Sequence, residues 1–120
     1  MDLTYSFRFL DSGLNRKLIE LVKKSRVEHF IDKEGAVHYA PDDEETVGND
    51  LICSIRDRVF ASWQILTCPS DWVEQYRIYM DRNAVPYREE LVNNELVFLI
   101  PGSYRPHTWK LDNEAAGRSK

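Results

Sequence analysis

Apolar and polar residues alternate at the start of the chain and then recur at helical spacing. Over residues 5–10, aromatic side chains alternate with Ser6 and Arg8, which predicts a strand with one buried face. The polar turn at 11–13 ends this strand and offers a helix cap. Residues 12–24 then carry apolar side chains that fit one stripe of a helix, namely Leu14, Leu18, Leu21 and Val22. The pattern therefore predicts a strand followed by a helix with one buried side.

A hairpin and a second helix follow in the pattern. Residues 27–40 have two short apolar arms around the loop 32–35, where Gly35 can adopt the positive φ that such turns often need. The acidic run 42–45 begins a predicted helix over 43–59, because acidic side chains favour the positive end of a helix. Its predicted buried stripe consists of Val47, Leu51, Ile52, Ile55 and Val59.

The second part of the chain shows the same kinds of segment. Residues 62–68 read as a strand, and residues 71–82 read as a helix. The stripe of this third helix is aromatic and contains Trp72, Tyr76, Tyr79 and Met80. Residues 85–100 form a second predicted hairpin, whose last arm, 96–100, is apolar throughout and is typical of a central strand covered on both faces.

The two parts resemble each other in plan, which raises the possibility of an internal repeat. Residues 5–41 and 63–101 each run strand, helix, hairpin and proline, with the helix 43–59 between them. A shift of 58 residues aligns the following pairs: Phe7 with Ile65, Leu18 with Tyr76, Val22 with Met80, and Val27 with Val85. Two extra residues in the second hairpin loop then align Val37 with Val97. A duplication and a chance likeness of pattern both remain open.

These elements predict an α+β fold in the order βαββ-α-βαββ. Each half alone would expose the back of its sheet, so burial of apolar surface favours joining the halves. We expect a mostly antiparallel sheet of about six strands with the three helices against one face, and two packed three-stranded sheets as the alternative. In element order this plan is similar to the broad ferredoxin-like group of α+β sandwiches. We expect one domain over 1–111 and a flexible tail over 112–120.

Charge narrows the classes of partner. The 120 residues carry a net charge of −4, whereas nucleic-acid-binding domains usually show a basic balance or stripe. The net charge therefore argues against nucleic acid as a partner and favours a basic protein partner. A homodimer is also compatible with the pattern, because the aromatic stripe of the third helix could serve as an interface.

Cysteine usage and hydropathy point to an intracellular protein. Cys53 and Cys68 match no zinc or redox spacing, so we expect two free thiols in a reducing compartment. No segment approaches the roughly 18 apolar residues that a membrane span needs. The first residues lack the basic and apolar regions of a signal peptide. We therefore expect a cytoplasmic protein with no membrane partner.

Two histidines are the weak candidates for catalysis. His29 and His38 lie on the two arms of the first hairpin, where a suitable register would make them neighbours. With Asp32 or Glu28 they could form a metal or acid–base site. The simpler interpretation is two ordinary strand residues. We predict no metal site and no cofactor, because the common phosphate-cradling, zinc-protease and hydrolase motifs do not occur in the sequence.

The segment after the last strand is the main candidate for binding. It combines aromatic and basic residues of the kind found in interface hot spots, namely Tyr104, Arg105, His107 and Trp109. Loop residues on a rigid scaffold often carry binding function. The alternative is that Tyr104 and Trp109 fold back and cover the open end of the core.

These observations favour a small non-enzymatic binding module that regulates or inhibits a protein partner. Two alternatives stay open. One is a sensor domain that binds a small ligand between the two halves, and the other is a small metal- or histidine-dependent enzyme. A cavity at the junction of the halves would favour the sensor, and convergence of His29 and His38 would favour the enzyme.

Overall fold

Six strands form one antiparallel sheet in a computed structural model, which describes residues 3–104. The strands are β1 (Tyr5–Phe9), β2 (His29–Ile31), β3 (Val37–Tyr39), β4 (Trp63–Thr67), β5 (Arg88–Val92) and β6 (Glu95–Pro101). Their order across the sheet is β2-β3-β1-β5-β6-β4, and every neighbouring pair is antiparallel. The predicted α+β class with a six-stranded sheet is confirmed, and the alternative of two separate sheets is wrong.

Three helical segments pack on this sheet. The first is α1 (Ser12–Ser25), and the third is α3 (Val73–Arg82). Between them, a π-helix (Glu45–Ile52) runs directly into α2 (Cys53–Val59), and we call these two segments together the middle helix. Short 3₁₀ turns occur at Pro41–Asp43, Ser70–Trp72 and Gly102–Tyr104. The predicted domain end at 111 and the predicted tail 112–120 lie outside the described residues.

Each half of the sheet has the same internal order. The first half, β1, α1, β2 and β3, has the order β2-β3-β1, and the second half, β4, α3, β5 and β6, has the order β5-β6-β4. The halves meet where β1 pairs with β5, and this pairing is antiparallel. The second half therefore runs in the opposite direction to the first within one continuous sheet.

The helices lie on both faces of the sheet, so the expectation that they share one face is wrong. Directly opposed residues share a face. Phe9 opposes Glu90 and Glu90 opposes Val97, so these three side chains lie on the face that α1 covers. The next residue, Phe98, opposes Leu66 on the other face, where α3 packs. We call these the α1 face and the α3 face.

The antiparallel join between the halves explains this arrangement. In each half, a helix connects two parallel strands that flank a third strand, and such connections nearly always have the same right hand. Because β1 and β4 point in opposite directions, the same hand places α1 and α3 on opposite faces. The middle helix packs with α1, since Val47, Ile52 and Ile55 belong to the same core cluster as Leu18 and Val22.

The face assignment also tests the alignment of the halves. In the helices, the shift of 58 matches buried residues, because Leu18 and Val22 align with Tyr76 and Met80. In the first strand of each half, the same shift aligns residues that lie on opposite sides relative to the helix of that half, so the alignment is out of register by one residue. Phe7 faces its own helix, whereas Ile65 opposes Leu99 and lies on the face away from α3. A common origin of the two halves stays a prediction.

The middle helix departs from the predicted regular α-helix. An α-helical period places Leu51 under Val47, but a π-helix has a longer turn that brings residues five apart onto one side. Accordingly Val47 and Ile52 are fully buried, while Leu51 and Val59 are only partly buried. The predicted buried stripe is therefore confirmed for Val47, Ile52 and Ile55. Leu51 and Val59 were predicted to be equally buried and are only partly so.

The loop of the first hairpin is held by specific hydrogen bonds. Gly35 has a φ of 91°, which confirms the predicted positive φ. The Asp32 carboxylate accepts backbone N–H groups of Glu34 and Ala36, each at 3.0 Å. The buried Asn15 side chain donates to the Gly35 carbonyl at 2.8 Å and accepts from the backbone N–H of Phe9 at 3.0 Å. This side chain therefore joins α1, β1 and the hairpin.

Candidate functional site

The two candidate histidines do not meet. His29 opposes Tyr39 on the α1 face, whereas His38 opposes Phe30 on the α3 face. The Nε2 atom of His38 lies 2.8 Å from a carboxylate oxygen of Asp32, and this hydrogen bond is the main reason that the pKa of Asp32 is lowered. In the part of the chain that the structure describes, no group of three His, Cys, Asp or Glu side chains could hold a metal ion. The geometry therefore brings His38 to one carboxylate and does not build a two-histidine site.

The predicted binding segment is described only at its first residue. Tyr104 ends the short 3₁₀ turn after β6, is partly buried and packs against the core cluster under α3. Arg105, His107 and Trp109 lie outside the described residues. This packing is what the alternative interpretation expects of Tyr104, while its second residue, Trp109, is not described. Both the covering of the core by the pair and the binding role of the segment stay predictions.

The structure instead concentrates polar groups in a cavity at the junction of the halves. We call this cavity of about 360 Å³ the junction pocket. The α1 face of β1 and β3 forms its floor through Tyr5 and Tyr39. The middle helix forms its roof through Arg56 and through Glu44, the residue that directly precedes the helix. Asn93, from the turn between β5 and β6, closes the end that belongs to the second half.

The π-helix and a glycine place Glu44 in this pocket. A Cβ atom added at Gly48 would collide with Oε1 of Glu44, so the carboxylate occupies the space that any other residue at this position would fill. Glycine in a helix costs about 1 kcal/mol relative to alanine, and π-helical turns occur frequently at functional sites. Gly48 therefore makes the helix less stable at the position where it leaves room for the Glu44 carboxylate in the pocket.

Tyr39 fixes this carboxylate from the sheet side. Its hydroxyl donates to Oε2 of Glu44 at 2.5 Å, a short charge-assisted hydrogen bond. Burial is the main cause that raises the pKa of the Tyr39 phenol far above its ordinary value, and the bond to Glu44 adds to it. The Tyr5 ring meets the Tyr39 ring edge to face at 5.8 Å. The phenol therefore stays protonated and holds Glu44 in one orientation.

Arg56 and Glu90 form a buried ion pair beside the pocket. The Arg56 guanidinium donates to both carboxylate oxygens of Glu90, at 2.6 and 3.2 Å. It lies between two aromatic rings, 4.9 Å from the Trp63 centroid and 5.4 Å from the Phe7 centroid. The Glu90 side chain is fully buried, and this burial raises the pKa of its carboxyl, which the Arg56 charge opposes. This pair joins the middle helix to the second half.

Two hydrogen bonds between Asn93 and β1 fix the end of the pocket that belongs to the second half. Its backbone N–H donates to the Ser6 carbonyl at 2.8 Å, and its side-chain oxygen accepts from the Ser6 N–H at 2.9 Å. Asn93 and Asn94 both have positive φ, 51° and 67°, which fits the preference of tight hairpin turns for asparagine. The turn between β5 and β6 is thereby fixed against β1.

A second cavity, of about 540 Å³, lies within the second half at the ends of β4 and β6. Among the described residues that line it, Glu95 is the single charged side chain, and it is exposed. Both cysteines are half-buried, Cys68 at this cavity and Cys53 at the junction pocket. The junction pocket is the better candidate because it combines ionisable groups of fixed orientation with a phenol, Tyr39, whose pKa is raised by burial.

Sequence reasoning missed this site. The acidic run containing Glu44 was assigned to helix capping, and Arg56 and Tyr39 were not singled out. One signal was present in the sequence: Gly48 interrupts a predicted helix four residues after Glu44, at a spacing that places both on one side of the helix. Glycine within a helical pattern often has a packing or functional reason.

Comparison with protein-family models, with curated proteins and with solved structures found no match to this chain. Within residues 3–104, no helix has the length and apolar character to cross a bilayer. The geometry of the site itself is therefore the basis for assigning a function.

Proposed function

We propose that this chain is a non-enzymatic binding module that holds a small ligand in the junction pocket. The observation that carries the proposal is the composition of the pocket wall, which comes from the first half, the middle helix and the turn of the second half together. A ligand in this position contacts all three parts. Binding would therefore stabilise their mutual arrangement, which is what a sensor domain requires.

Size and chemistry support this function. Small-molecule sites usually enclose about 300–1,000 Å³ and combine apolar walls with a few fixed polar groups. The junction pocket, at about 360 Å³, lies at the lower end of this range. Phe7 and Ile52 supply apolar wall, and Glu44 and Asn93 supply polar groups that other residues hold in place. Such preorganised groups lower the entropy cost of binding.

Binding rather than catalysis fits the polar groups that line the pocket. Tyr39 and Glu44 bond to each other, and Arg56 bonds to Glu90. Neither of the described histidines lines the pocket, so the usual proton-transfer residue is not among its described walls. The arrangement thus orients a ligand and offers it fixed hydrogen-bonding groups.

A glycine variant tests the pocket directly. Gly48→Ala forces the Glu44 carboxylate out of its position, and we expect ligand affinity to fall roughly tenfold, the equivalent of about 1.4 kcal/mol. The measurement is a fragment screen by amide NMR, with pocket ligands recognised by shifts at Gly48, Asn49, Cys53 and Asn93. The hits are then titrated against the variant and against a matched control. Gly13→Ala makes the same change in an exposed helical turn and should leave the affinities within about twofold.

Two results would contradict the proposal. One is a screen whose hits all map away from these four amides, including a screen without any hit there. The other is a set of pocket ligands that bind the Gly48→Ala and Gly13→Ala variants equally well.

An exposed aromatic residue favours a second candidate function, which is binding of a protein partner. Phe30 is 57% exposed on the three-residue edge strand β2, and its ring lies 5.7 Å from the His38 ring on the α3 face. Since α3 packs over the second half, this part of the α3 face carries no helix in the described structure. An edge strand beside an exposed aromatic ring is a common surface for pairing with another chain.

Affinity capture with two matched variants tests this candidate. Phe30→Ala should reduce recovery of a specific partner from the native cell by more than about tenfold, as loss of an aromatic anchor does at interface hot spots. Ile78→Ala removes the other large exposed apolar side chain among the described residues, on α3, and should leave recovery unchanged. Equal recovery by both variants would refute Phe30 as the contact.

A further inference from the structure

We infer that the junction pocket selects an organic ammonium ion with an aromatic or apolar body. This inference rests on the proposed function, because it names the class of ligand for the same pocket. It depends on the surplus negative charge of the pocket, on the orientation of its carboxylate and on its aromatic walls.

The charges that line the pocket leave one carboxylate uncompensated. Among the described residues of the wall, Glu44 and Arg56 are the charged ones. The Arg56 charge is already paired with the Glu90 carboxylate, whose side chain is fully buried behind it. Counting all three groups, the site carries a net charge of −1. A cationic ligand balances this charge, whereas an anion increases it.

Arg56 is a poor receptor for an anion in spite of its charge. Its Nε and Nη2 groups both donate to Glu90. A ligand carboxylate or phosphate could take these donors only by leaving Glu90 buried without its partner. The loss of one partner from a buried ion pair is strongly destabilising. The remaining N–H donors of the guanidinium belong to a charge that Glu90 already balances, so an anion gains less here than at an unpaired arginine.

Glu44 is well placed to accept from an ammonium group. A carboxylate has about four acceptor positions, and the Tyr39 hydroxyl uses one of them. The other oxygen, Oε1, lies against Gly48, so the carboxylate is held in one orientation within the pocket wall. A primary ammonium group has three donors and no acceptor, so it complements a carboxylate better than a neutral hydroxyl does.

The aromatic walls favour the same ligand class. Tyr5, Phe7 and Tyr39 line the floor, and the Tyr5 and Tyr39 rings are nearly perpendicular at 88°. Aromatic faces attract cations within about 6 Å of the ring centroid, and they also pack against an apolar body. The Arg56 guanidinium already lies 5.4 Å from the Phe7 centroid, so one of these rings already faces a cation in the folded protein.

Three probes of matched shape test the inference. Phenethylamine, phenethyl alcohol and phenylacetate share a phenyl ring and differ in carrying a positive, a zero or a negative charge. In amide NMR titrations of the full chain near pH 7, where the amine is protonated, we expect phenethylamine to bind at least about tenfold more tightly than the alcohol. Phenylacetate should bind most weakly.

A pair of glutamate variants separates a pocket effect from net charge. Glu44→Gln should reduce phenethylamine affinity to the level of the alcohol and change the affinity of the alcohol by less than about twofold. Glu45→Gln removes the same charge from the exposed neighbouring position and should keep the preference for the amine. Circular dichroism of both variants checks that the fold is retained.

The possible failures can be distinguished. If fragments bind at the pocket amides but phenethylamine shows no advantage, or if Glu44→Gln keeps the preference for the amine, the ligand class is wrong and the proposed function stands. If neither the probes nor any fragment of the screen shifts the amides of Gly48, Asn49, Cys53 and Asn93, both the ligand class and the proposed function are wrong.

Discussion

Replacement of Arg56 by methionine is expected to lower the free energy of unfolding by about 3–5 kcal/mol, because it leaves the buried Glu90 carboxylate without its partner. The double variant Arg56→Met, Glu90→Leu removes both charges and should recover most of this loss, since an apolar pair avoids the desolvation cost of two buried ions. Urea denaturation at neutral pH measures both values. Arg58→Met changes an exposed arginine of the same helix and should cost less than about 0.5 kcal/mol.

The loss in free energy of unfolding that Arg56→Met causes should depend on pH. Burial raises the pKa of Glu90, and the Arg56 charge opposes this rise, so removal of Arg56 raises the pKa further. A carboxyl with a raised pKa in the folded state stabilises the fold fully below the pKa of 4.5 of the unfolded chain, and this contribution is lost as the pH rises through the folded-state pKa. The variant should therefore come closest to the wild-type stability near pH 4 and fall furthest below it near pH 7.

The opposite pH dependence of other groups does not obscure this comparison. The pKa of Asp32 is lowered by its bond to His38, so its contribution is present above 3.8 and is lost as the pH falls. Asp32 is unchanged in both proteins, and its effect cancels in their difference. A deficit of equal size at pH 4 and pH 7 would contradict the assignment of the buried charge to Glu90.

The sequence pattern predicted the features of the fold that depend on the local spacing of apolar residues. The position of α1 follows from the spacing of Leu18 and Val22, and β6 was correctly identified as a central strand from its continuous apolar run. The distribution of helices over two faces was missed because it depends on the antiparallel pairing of β1 with β5. These strands are about eighty residues apart, and neither carries a local signal for the direction in which they pair.

The candidate site was missed for a related reason. Arg56 and Glu90 are 34 positions apart and meet only when the middle helix packs over β5. Glu44 lies in an acidic run whose simplest interpretation is helix capping, and its actual partner, Tyr39, is supplied by β3. The π-helical turn shifts the register of the middle helix, so a period of 3.6 residues does not show which side of it faces the pocket.

The packing of α3 on its own face of the sheet predicts a large effect at Phe98. This side chain is fully buried in the centre of β6, with the Tyr76 ring stacked at 6.0 Å and the Tyr87 ring edge-on at 5.6 Å. Phe98→Ala removes apolar contact, leaves a cavity under α3 and breaks two ring pairs. We expect a loss of about 3–5 kcal/mol in the free energy of unfolding.

Phe30 supplies the matched control, because Phe30→Ala is the same chemical change on a strand of the same sheet. Its side chain is 57% exposed, so the change should cost less than about 1 kcal/mol. Both variants should still unfold in a single urea transition by circular dichroism and by tryptophan fluorescence, because the two halves share one sheet through β1 and β5. If Phe98→Ala costs no more than Phe30→Ala, α3 does not pack on this face. If the second half of Phe98→Ala unfolds separately, the pairing of β1 with β5 does not couple the halves, and the junction pocket would lose the fixed wall that its ligand needs.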